Sequence, residues 1–373
     1  MKVLVTGGGT GGHIYPGLAF IGELQTRIPE VEILYVGTKK GMEADIVSKE
    51  NITFAAIHSR GFRRKISLNT LKTIWVAGQG VFEAKRIIEN FHPDLVVGTG
   101  GYVAGPMVLQ AALKRVPTLI HEQNALPSVT NRLLARFVTA IAVSFQQSIP
   151  YFPSGKPIFV TGNPVRREIL QLSREDALQK LGLTKDNKTI LIVGGSNGAE
   201  PINNAVMKLI QGLQEEKLQF IFVTGKRNFD QVQDYIRTNK IEIKEGNKVI
   251  PYLYDMPAGL KAADLIISRA GGMIAEINAC GLPAIYIPSP YVADNHQEFN
   301  AKAIESQGAA IMLREKELTS EVLWKMIQEL VFQPQRLEQM KQAAFALAKP
   351  KATQEMVDIA LQLIRNESPM SKL

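Results

Sequence analysis

Short apolar runs and glycine clusters alternate along the chain, and their order predicts its elements. Lys2 to Thr6 is a β-branched run that gives way to Gly7-Gly8-Gly9-Thr10-Gly11-Gly12, and Pro16 then leads a helical stretch through Gln25. This reads as strand, tight turn and helix, with Pro16 suited to a first helical turn. Further strands are predicted at Glu32 to Gly37, Asp94 to Gly98, Pro117 to His121 and Thr139 to Ser144, with helical segments between them. Such alternation implies a parallel sheet with helices on both faces.

The pattern then starts again. Thr189 to Val193, followed by Gly194-Gly195-Ser196-Asn197-Gly198, echoes the opening strand and its glycines, and Phe220 to Gly225 echoes Ile33 to Gly37. The stretch from Asp94 to Gly101 has its counterpart in Asp264 to Gly272, and each is followed by a helix and a proline-led strand, at Pro117 and Pro283. The chain therefore reads as α/β, two similar doubly wound domains joined near Asn163-Pro164, with the helices after about Pro334 closing the second domain or returning to the first. Ligands of open parallel sheets sit beyond the carboxyl ends of the strands, and two such edges facing each other would make a deep cleft lined by glycine loops.

Length agrees, since 373 residues suffice for two ordinary domains. A content of 45% hydrophobic and 21% charged residues is that of a chain able to bury a core. Cys280 is the only cysteine, which excludes an internal disulfide and fits a reducing compartment. The apolar stretch behind Met1 is too short for a secretory signal, and the mature chain is expected to start at Met1. No run approaches the ~18 apolar residues needed to cross a bilayer. A net charge of +8 points to an anionic partner, whether nucleotide, phospholipid or nucleic acid.

Gly7, Gly9 and Gly12 fit G-x-G-x-x-G, but the second strand ends in Gly37-Thr38-Lys39-Lys40, without the acid that would hold a ribose, which disfavours a nicotinamide enzyme. Four glycine loops at equivalent strand ends, around Gly8, Gly100, Gly195 and Gly271, instead suggest backbone amides presented to phosphate. His13, directly after the first loop, is placed where an imidazole can act as a general base. His121-Glu122-Gln123-Asn124 ends another strand with four polar side chains, which suggests ligand contacts; His58 and His92 read as surface or connection. Metal-binding spacings and the P-loop are missing from the sequence, so a departing diphosphate would be met by helix N-termini and basic side chains, with Arg166, Arg269 and the helix after Gly272 as candidates.

The segments Gly8 to Pro16, Gly100 to Pro106, His121 to Asn124, Thr161 to Arg166 and Asn295 to Ala301 together resemble the MurG family of GT-B glycosyltransferases, glycosyltransferase family 28, over nearly the whole chain. The resemblance implies transfer of N-acetylglucosamine, with inversion, from UDP-N-acetylglucosamine to the C4 hydroxyl of the muramoyl sugar of lipid I, without a cofactor or metal. It implies an acceptor and membrane-docking domain over 1–163, a UDP-sugar domain over 164–340, and C-terminal helices over 341–373 that return toward the first domain. By motif, Thr10, Gly11 and Gly12 approach the diphosphate or sugar and Asn124 the sugar, while Arg166 and Ser196 lie at the nucleotide phosphates. The main chain at Ile250 holds uracil, Glu276 the ribose hydroxyls and Gln297 the N-acetylglucosamine. Tyr102 and Asn300, inside matching motifs, join the substrate-binding set. His13 is the expected catalytic base, with Glu122 the next polar group at a strand end in the same domain. Two departures are visible: Asn197 stands where the family often has glutamine or arginine, and the stretch between Arg269 and Glu276 is one residue shorter than the usual loop.

From Ser59 to Arg86 the cations Arg60, Arg63, Arg64, Lys65, Lys72, Lys85 and Arg86 interleave with Phe62, Ile66, Leu68, Leu71, Ile74, Trp75, Val76 and Phe82. This predicts peripheral docking on an anionic leaflet at the cytoplasmic face of the bacterial membrane, and no nucleic-acid motif accompanies it. Competing readings are another GT-B transferase with an acceptor such as diacylglycerol, a nicotinamide oxidoreductase, and a catalytically silent nucleotide-sugar sensor.

Overall fold

The structure, a computed structural model, describes residues 1–59, 68–195, 198–214 and 217–367, with the backbone alone over 68–77. It divides into two compact units, residues 1–165 with the segment from Lys349 onward, and residues 166–348.

The first unit contains β1 (Lys2–Gly7), α1 (Gly11–Arg27), β2 (Glu32–Gly37), α2 (Met42–Val47), β3 (Thr53–Ala56), α3 (Leu68–Phe91), β4 (Leu95–Gly100), α4 (Ala104–Leu113), β5 (Thr118–Glu122), α5 (Val129–Leu134), β6 (Ala140–Val143) and β7 (Ile158–Val160). The strands form one sheet in the order β3-β2-β1-β4-β5-β6-β7, and every pairing is parallel. Because side chains alternate across a strand, Val3 and Val5 of β1 enter the core beneath α1, while Leu4 enters the core beneath α3 and α4. Strands covered on both faces read as continuous apolar runs, which is why Lys2 to Thr6 stood out in the sequence.

The second unit contains α6 (Arg167–Gln171), α7 (Arg174–Leu181), β8 (Lys188–Val193), α8 (Glu200–Met207), β9 (Leu218–Val223), α9 (Phe229–Thr238), β10 (Lys248–Ile250), α10 (Met256–Ala262), β11 (Leu265–Ser268), α11 (Ile274–Ala279), β12 (Ala284–Tyr286), α12 (His296–Glu305), β13 (Ala310–Met312), α13 (Ser320–Val331) and α14 (Pro334–Leu347). Its strands run β10-β9-β8-β11-β12-β13, again all parallel. In each sheet the order reverses beside the first strand, between β1 and β4 and between β8 and β11, which is the switch point where such sheets open to a ligand.

Two details differ from the sequence expectation. The helix α1 starts at Gly11, not near Pro16, because the Thr10 carbonyl already accepts from the amides of His13 and Ile14, at 3.1 and 3.3 Å. Pro16 therefore lies inside the helix and cannot donate to the carbonyl of Gly12 four residues back. The division expected after residue 340 falls instead after Ala348, since α14 runs unbroken to Leu347 with its proline in the first turn, where a proline is tolerated. The next helix, α15 (Ala352–Ile364), packs on α1 and sends Met356, Val357, Ala360 and Leu363 into the first unit's core. Among the described residues no helix is long and apolar enough to cross a membrane.

Candidate active site

In the first unit the polar groups gather at the carboxyl ends of β1, β4 and β5. Between β1 and α1 the chain turns through Gly8, Gly9 and Thr10. Gly9 and Thr10 are exposed and Gly11 and Gly12 half-exposed, so amides of the first helical turn are open to a ligand. His13, half-buried one turn in, places Nδ1 2.9 Å from the Gly8 carbonyl oxygen. A carbonyl only accepts, so Nδ1 carries the hydrogen and the basic lone pair of the neutral ring lies on Nε2. Thr99, at the end of β4, donates its hydroxyl to the His13 carbonyl at 2.7 Å and fixes the main chain beneath the ring.

The second glycine loop closes on the first. The amide of Gly8 donates to the Gly100 carbonyl at 3.2 Å. Gly101 has φ +84°, and a Cβ there would stand 2.3 Å from the Gly8 carbonyl oxygen; at Gly100, φ +105°, it would stand 2.8 Å from Cδ2 of His13. Both positions need glycine for backbone conformation and for space. Tyr102 follows and is 59% exposed.

The His121 to Asn124 stretch, expected to offer four ligand contacts, is mostly structural. His121 and Glu122 lie in β5 itself, between β4 and β6, and both are buried with Gln123. The two oxygens of Glu122 accept from the amide and the side chain of Asn124, the amide of Ser128 and the side chain of Asn131, at 2.9 to 3.0 Å. With four donors and 1% exposure, this carboxylate holds the turn into α5. Asn124 is half-buried, its side-chain amide directed at Glu122.

His121 donates from Nε2 to the Gly162 carbonyl at 3.0 Å and accepts at Nδ1 from Gln123 at 3.1 Å. Burial lowers its pKa to about 4, against the opposing pull of the Gly162 carbonyl, with His13 nearby adding to the depression. The unfolded chain takes up this proton near pH 6.5 and the native one not until about pH 4, so stability present above pH 6.5 is lost as pH falls through that window, by roughly 3 kcal/mol at most. Acid unfolding of the native chain and of His121→Gln should therefore converge, the native chain's advantage shrinking between pH 6.5 and 4. An advantage that stays constant over that range contradicts a neutral, buried His121.

In the second unit Ser196 and Asn197 lie outside the described residues. Around them, Gly198 has φ +80° and presses against Thr224, whose carbonyl oxygen would stand 2.2 Å from an added Cβ. Arg166, just before α6, forks onto Glu276 in α11, with Nε 2.7 Å from Oε1 and Nη2 3.0 Å from Oε2. The two residues expected to hold phosphate and ribose are thus brought together as a bidentate pair. The carbonyl of Ile250, at the end of β10, accepts from the Thr224 amide at 3.0 Å. Gln297, in the first turn of α12, accepts at Oε1 from the Ser289 amide at 2.9 Å, and its Nε2 is directed at Gly271, 4.0 Å from where a Cβ would sit.

Three further candidates lie in this unit. Asn300 is 1% exposed and donates to the Ala270 carbonyl at 3.1 Å, so it ties α12 to the loop after β11 from inside. Arg269 donates to the Ile287 carbonyl at 2.9 Å and pairs with Glu315 at 2.5 Å. The helix after Gly272 is α11, six residues from Ile274 to Ala279, with Glu276 in its first turn. What the sequence reading missed is Glu43. It enters from α2, is fully buried, and accepts from the amide of Gly9 and from the amide and hydroxyl of Thr38 at 3.1, 2.9 and 2.6 Å. Burial pushes its carboxyl up, but the hydrogen bonds from Thr38 and Gly9 outweigh this and hold it below the ordinary glutamate value.

Of the basic, aromatic segment, residues 60–67 and the side chains of 68–77 lie outside the described residues, so Arg60, Phe62, Arg63, Arg64, Lys65, Ile66, Leu68, Leu71, Lys72, Ile74, Trp75 and Val76 have no described contacts. Phe82, Lys85 and Arg86 are exposed on α3. Beside α3 packs α4, and Leu113 at its end is exposed, as are Leu133, Arg136 and Phe137 at the end of α5.

Residues 3–143 match the N-terminal domain of glycosyltransferase family 28, and residues 189–357 match its C-terminal domain. The chain is 46% identical over 357 residues to a protein of Thermoanaerobacter sp. (strain X514) named UDP-N-acetylglucosamine–N-acetylmuramyl-(pentapeptide) pyrophosphoryl-undecaprenol N-acetylglucosamine transferase, covering 95% of this chain and 98% of that one. A protein of Halalkalibacterium halodurans with the same name matches at the same identity and coverage. Among solved structures, MurG of Acinetobacter baumannii superposes with a TM-score of 0.76 at 30% identity, over 97% of this chain and 99% of the other. Two Rossmann-like units, both domain matches in order, and relatives of this identity along nearly the full length together show that the chain belongs to glycosyltransferase family 28.

Proposed function

We propose that this chain transfers N-acetylglucosamine from UDP-N-acetylglucosamine to the C4 hydroxyl of the muramoyl sugar in lipid I, with His13 as general base. The observation that carries the reading is the His13 ring, whose Nδ1–H is donated to the Gly8 carbonyl so that Nε2 holds the basic pair at the strand-end edge of the first unit. Nε2 takes the proton of the acceptor hydroxyl as its oxygen attacks the anomeric carbon. The bond from that carbon to the diphosphate breaks, and the electron pair leaves with UDP. One displacement inverts the centre and forms no covalent enzyme intermediate.

The donor is assigned to the second unit. Arg166 supplies a cation for the departing diphosphate, Glu276 two acceptors for the ribose hydroxyls, and Gln297 an amide donor for the sugar. Arg166 and Glu276 already pair with each other, so the nucleotide binds by sharing or replacing contacts within an assembled pair. The experiment is transfer of radiolabelled sugar with a lipid I analogue and diacylglycerol offered together. Label in the lipid I analogue supports the reading; label in the glycerolipid moves the chain to another acceptor.

For the membrane, the exposed apolar groups Phe82, Leu113, Leu133 and Phe137 and the neighbouring cations of α3 and α5 support peripheral docking on an anionic leaflet. Changing Phe82, Leu133 and Phe137 to serine together should reduce binding to vesicles rich in phosphatidylglycerol and leave UDP binding unchanged. Undiminished vesicle binding would place the docking surface elsewhere.

A further inference from the structure

The first glycine loop is built around one buried carboxylate. A Cβ on Gly8 would stand 2.6 Å from the Glu43 carboxyl, one on Gly41 2.2 Å from its Oε1, and one on Gly37 2.4 Å from its Cγ. A carboxylate buried in apolar surroundings is costly unless hydrogen-bonded, and space alone would be filled more cheaply by an apolar side chain. A buried, fully bonded charge at this point fixes the position of the groups that donate to it.

The donor that matters is the Gly9 amide. It belongs to the same peptide unit as the Gly8 carbonyl, and in a planar trans peptide the N–H and C=O point in opposite directions. Glu43 accepts from the N–H at 3.1 Å, and His13 Nδ1 donates to the C=O at 2.9 Å. Glu43, the Gly8-Gly9 peptide and His13 therefore form a continuous chain of hydrogen bonds.

We propose that Glu43 is the positioning residue for His13, acting through the Gly8-Gly9 peptide to set the ring's orientation and tautomer and to favour its protonated state. This rests on His13 being the base. When Nε2 takes the acceptor proton, Nδ1 keeps its own and the ring becomes cationic. No proton moves along the peptide; the carboxylate polarises it, so the Gly8 carbonyl becomes a better acceptor for the imidazolium. The arrangement does what a carboxylate bonded directly to an imidazole does, with one peptide interposed.

The test uses the full chain. Glu43→Gln keeps the shape but sets an amide donor against one of the backbone N–H groups. It should lower kcat about 10- to 100-fold, by analogy with the hydrogen-bond partners that orient metal-bound histidines, with KM for UDP-N-acetylglucosamine within about twofold of the native value. In a His13→Ala background the same change should cost less than about twofold, because residues that act as a unit are non-additive. Thr38→Val, which removes only the hydroxyl bond to Glu43, should give a smaller loss of the same kind and serves if Glu43→Gln does not fold. An unchanged kcat, or an equal loss in both backgrounds, overturns the proposal. Nitrogen NMR of the five histidines, with His13 assigned by its alanine variant, gives a reading independent of turnover. The native ring should show Nδ1–H, and Glu43→Gln should shift it toward a tautomer mixture; an unshifted ring also overturns the proposal. Normal turnover by His13→Ala would remove His13 as base while leaving the NMR result to decide whether Glu43 positions the ring.

Discussion

His13→Ala should lower kcat by roughly 10²- to 10⁴-fold, the contribution typical of a general base, while the affinity for UDP-N-acetylglucosamine stays close to native. The split follows from where the groups lie. His13 belongs to the first unit, whereas Arg166, Glu276 and Gln297, assigned to the donor, belong to the second. Removing the ring also removes a hydrogen bond to the Gly8 carbonyl, but Thr99 still holds the main chain of residue 13, so the loop should keep its place. Turnover on a soluble lipid I analogue, measured with saturating donor, checks the first half, and calorimetric titration with UDP-N-acetylglucosamine the second. Near-native turnover would exclude His13 as base. The four donors already on Glu122 make it a poor substitute, since its two oxygens are occupied by the turn into α5.

The second large effect is expected at Glu276. If its carboxylate accepts from the ribose hydroxyls, Glu276→Ala should weaken UDP binding by about 1.5 to 3 kcal/mol, the range for hydrogen bonds to a charged group. The pairing with Arg166 makes a further distinction possible. The variant frees that guanidinium from its carboxylate partner, so the loss should be larger for uridine, which offers only ribose and base, than for UDP, whose diphosphate can recruit the released cation. Titration with both ligands reads this directly. Equal and unchanged affinities would show that the shortened stretch between Arg269 and Glu276 has carried this residue away from the ribose.

The doubly wound fold was legible because its central strands are covered on both faces and so appear as unbroken apolar runs followed by glycines. The strands that went unread, β3, β7, β10 and β13, have three or four residues each and include half-exposed positions, so neither length nor alternation marks them. At the site, the glycine loops and His13 could be read because their position at strand ends follows from local order. Glu43 could not. A ribose-binding acid would stand at the end of the second strand, among Gly37 to Lys40; Glu43 comes a few residues later, on a short helix that turns it back under the loop to accept from Gly9 and Thr38. The reverse error affected His121, Glu122 and Gln123, whose polarity suggested a ligand; they lie at the end of a strand flanked on both sides, where buried polar groups serve the scaffold. The partners of Arg269 and Asn300 were hidden in the sequence for a related reason. The partner of Arg269, Glu315, is distant in sequence, and the burial of Asn300 depends on how α12 lies against the loop after β11.

The most direct test of the central claim is the stereochemistry of the product. UDP-N-acetylglucosamine carries its sugar in the α configuration, and a single displacement assisted by His13 must deliver it as the β anomer. Proton and carbon NMR of the product from donor labelled at the anomeric carbon and a soluble lipid I analogue should show a β linkage to the muramoyl C4 oxygen, with one UDP released per transfer. Intact-mass measurement during turnover should show the unmodified chain. An α linkage, or a chain heavier by one N-acetylglucosamine residue, would contradict it.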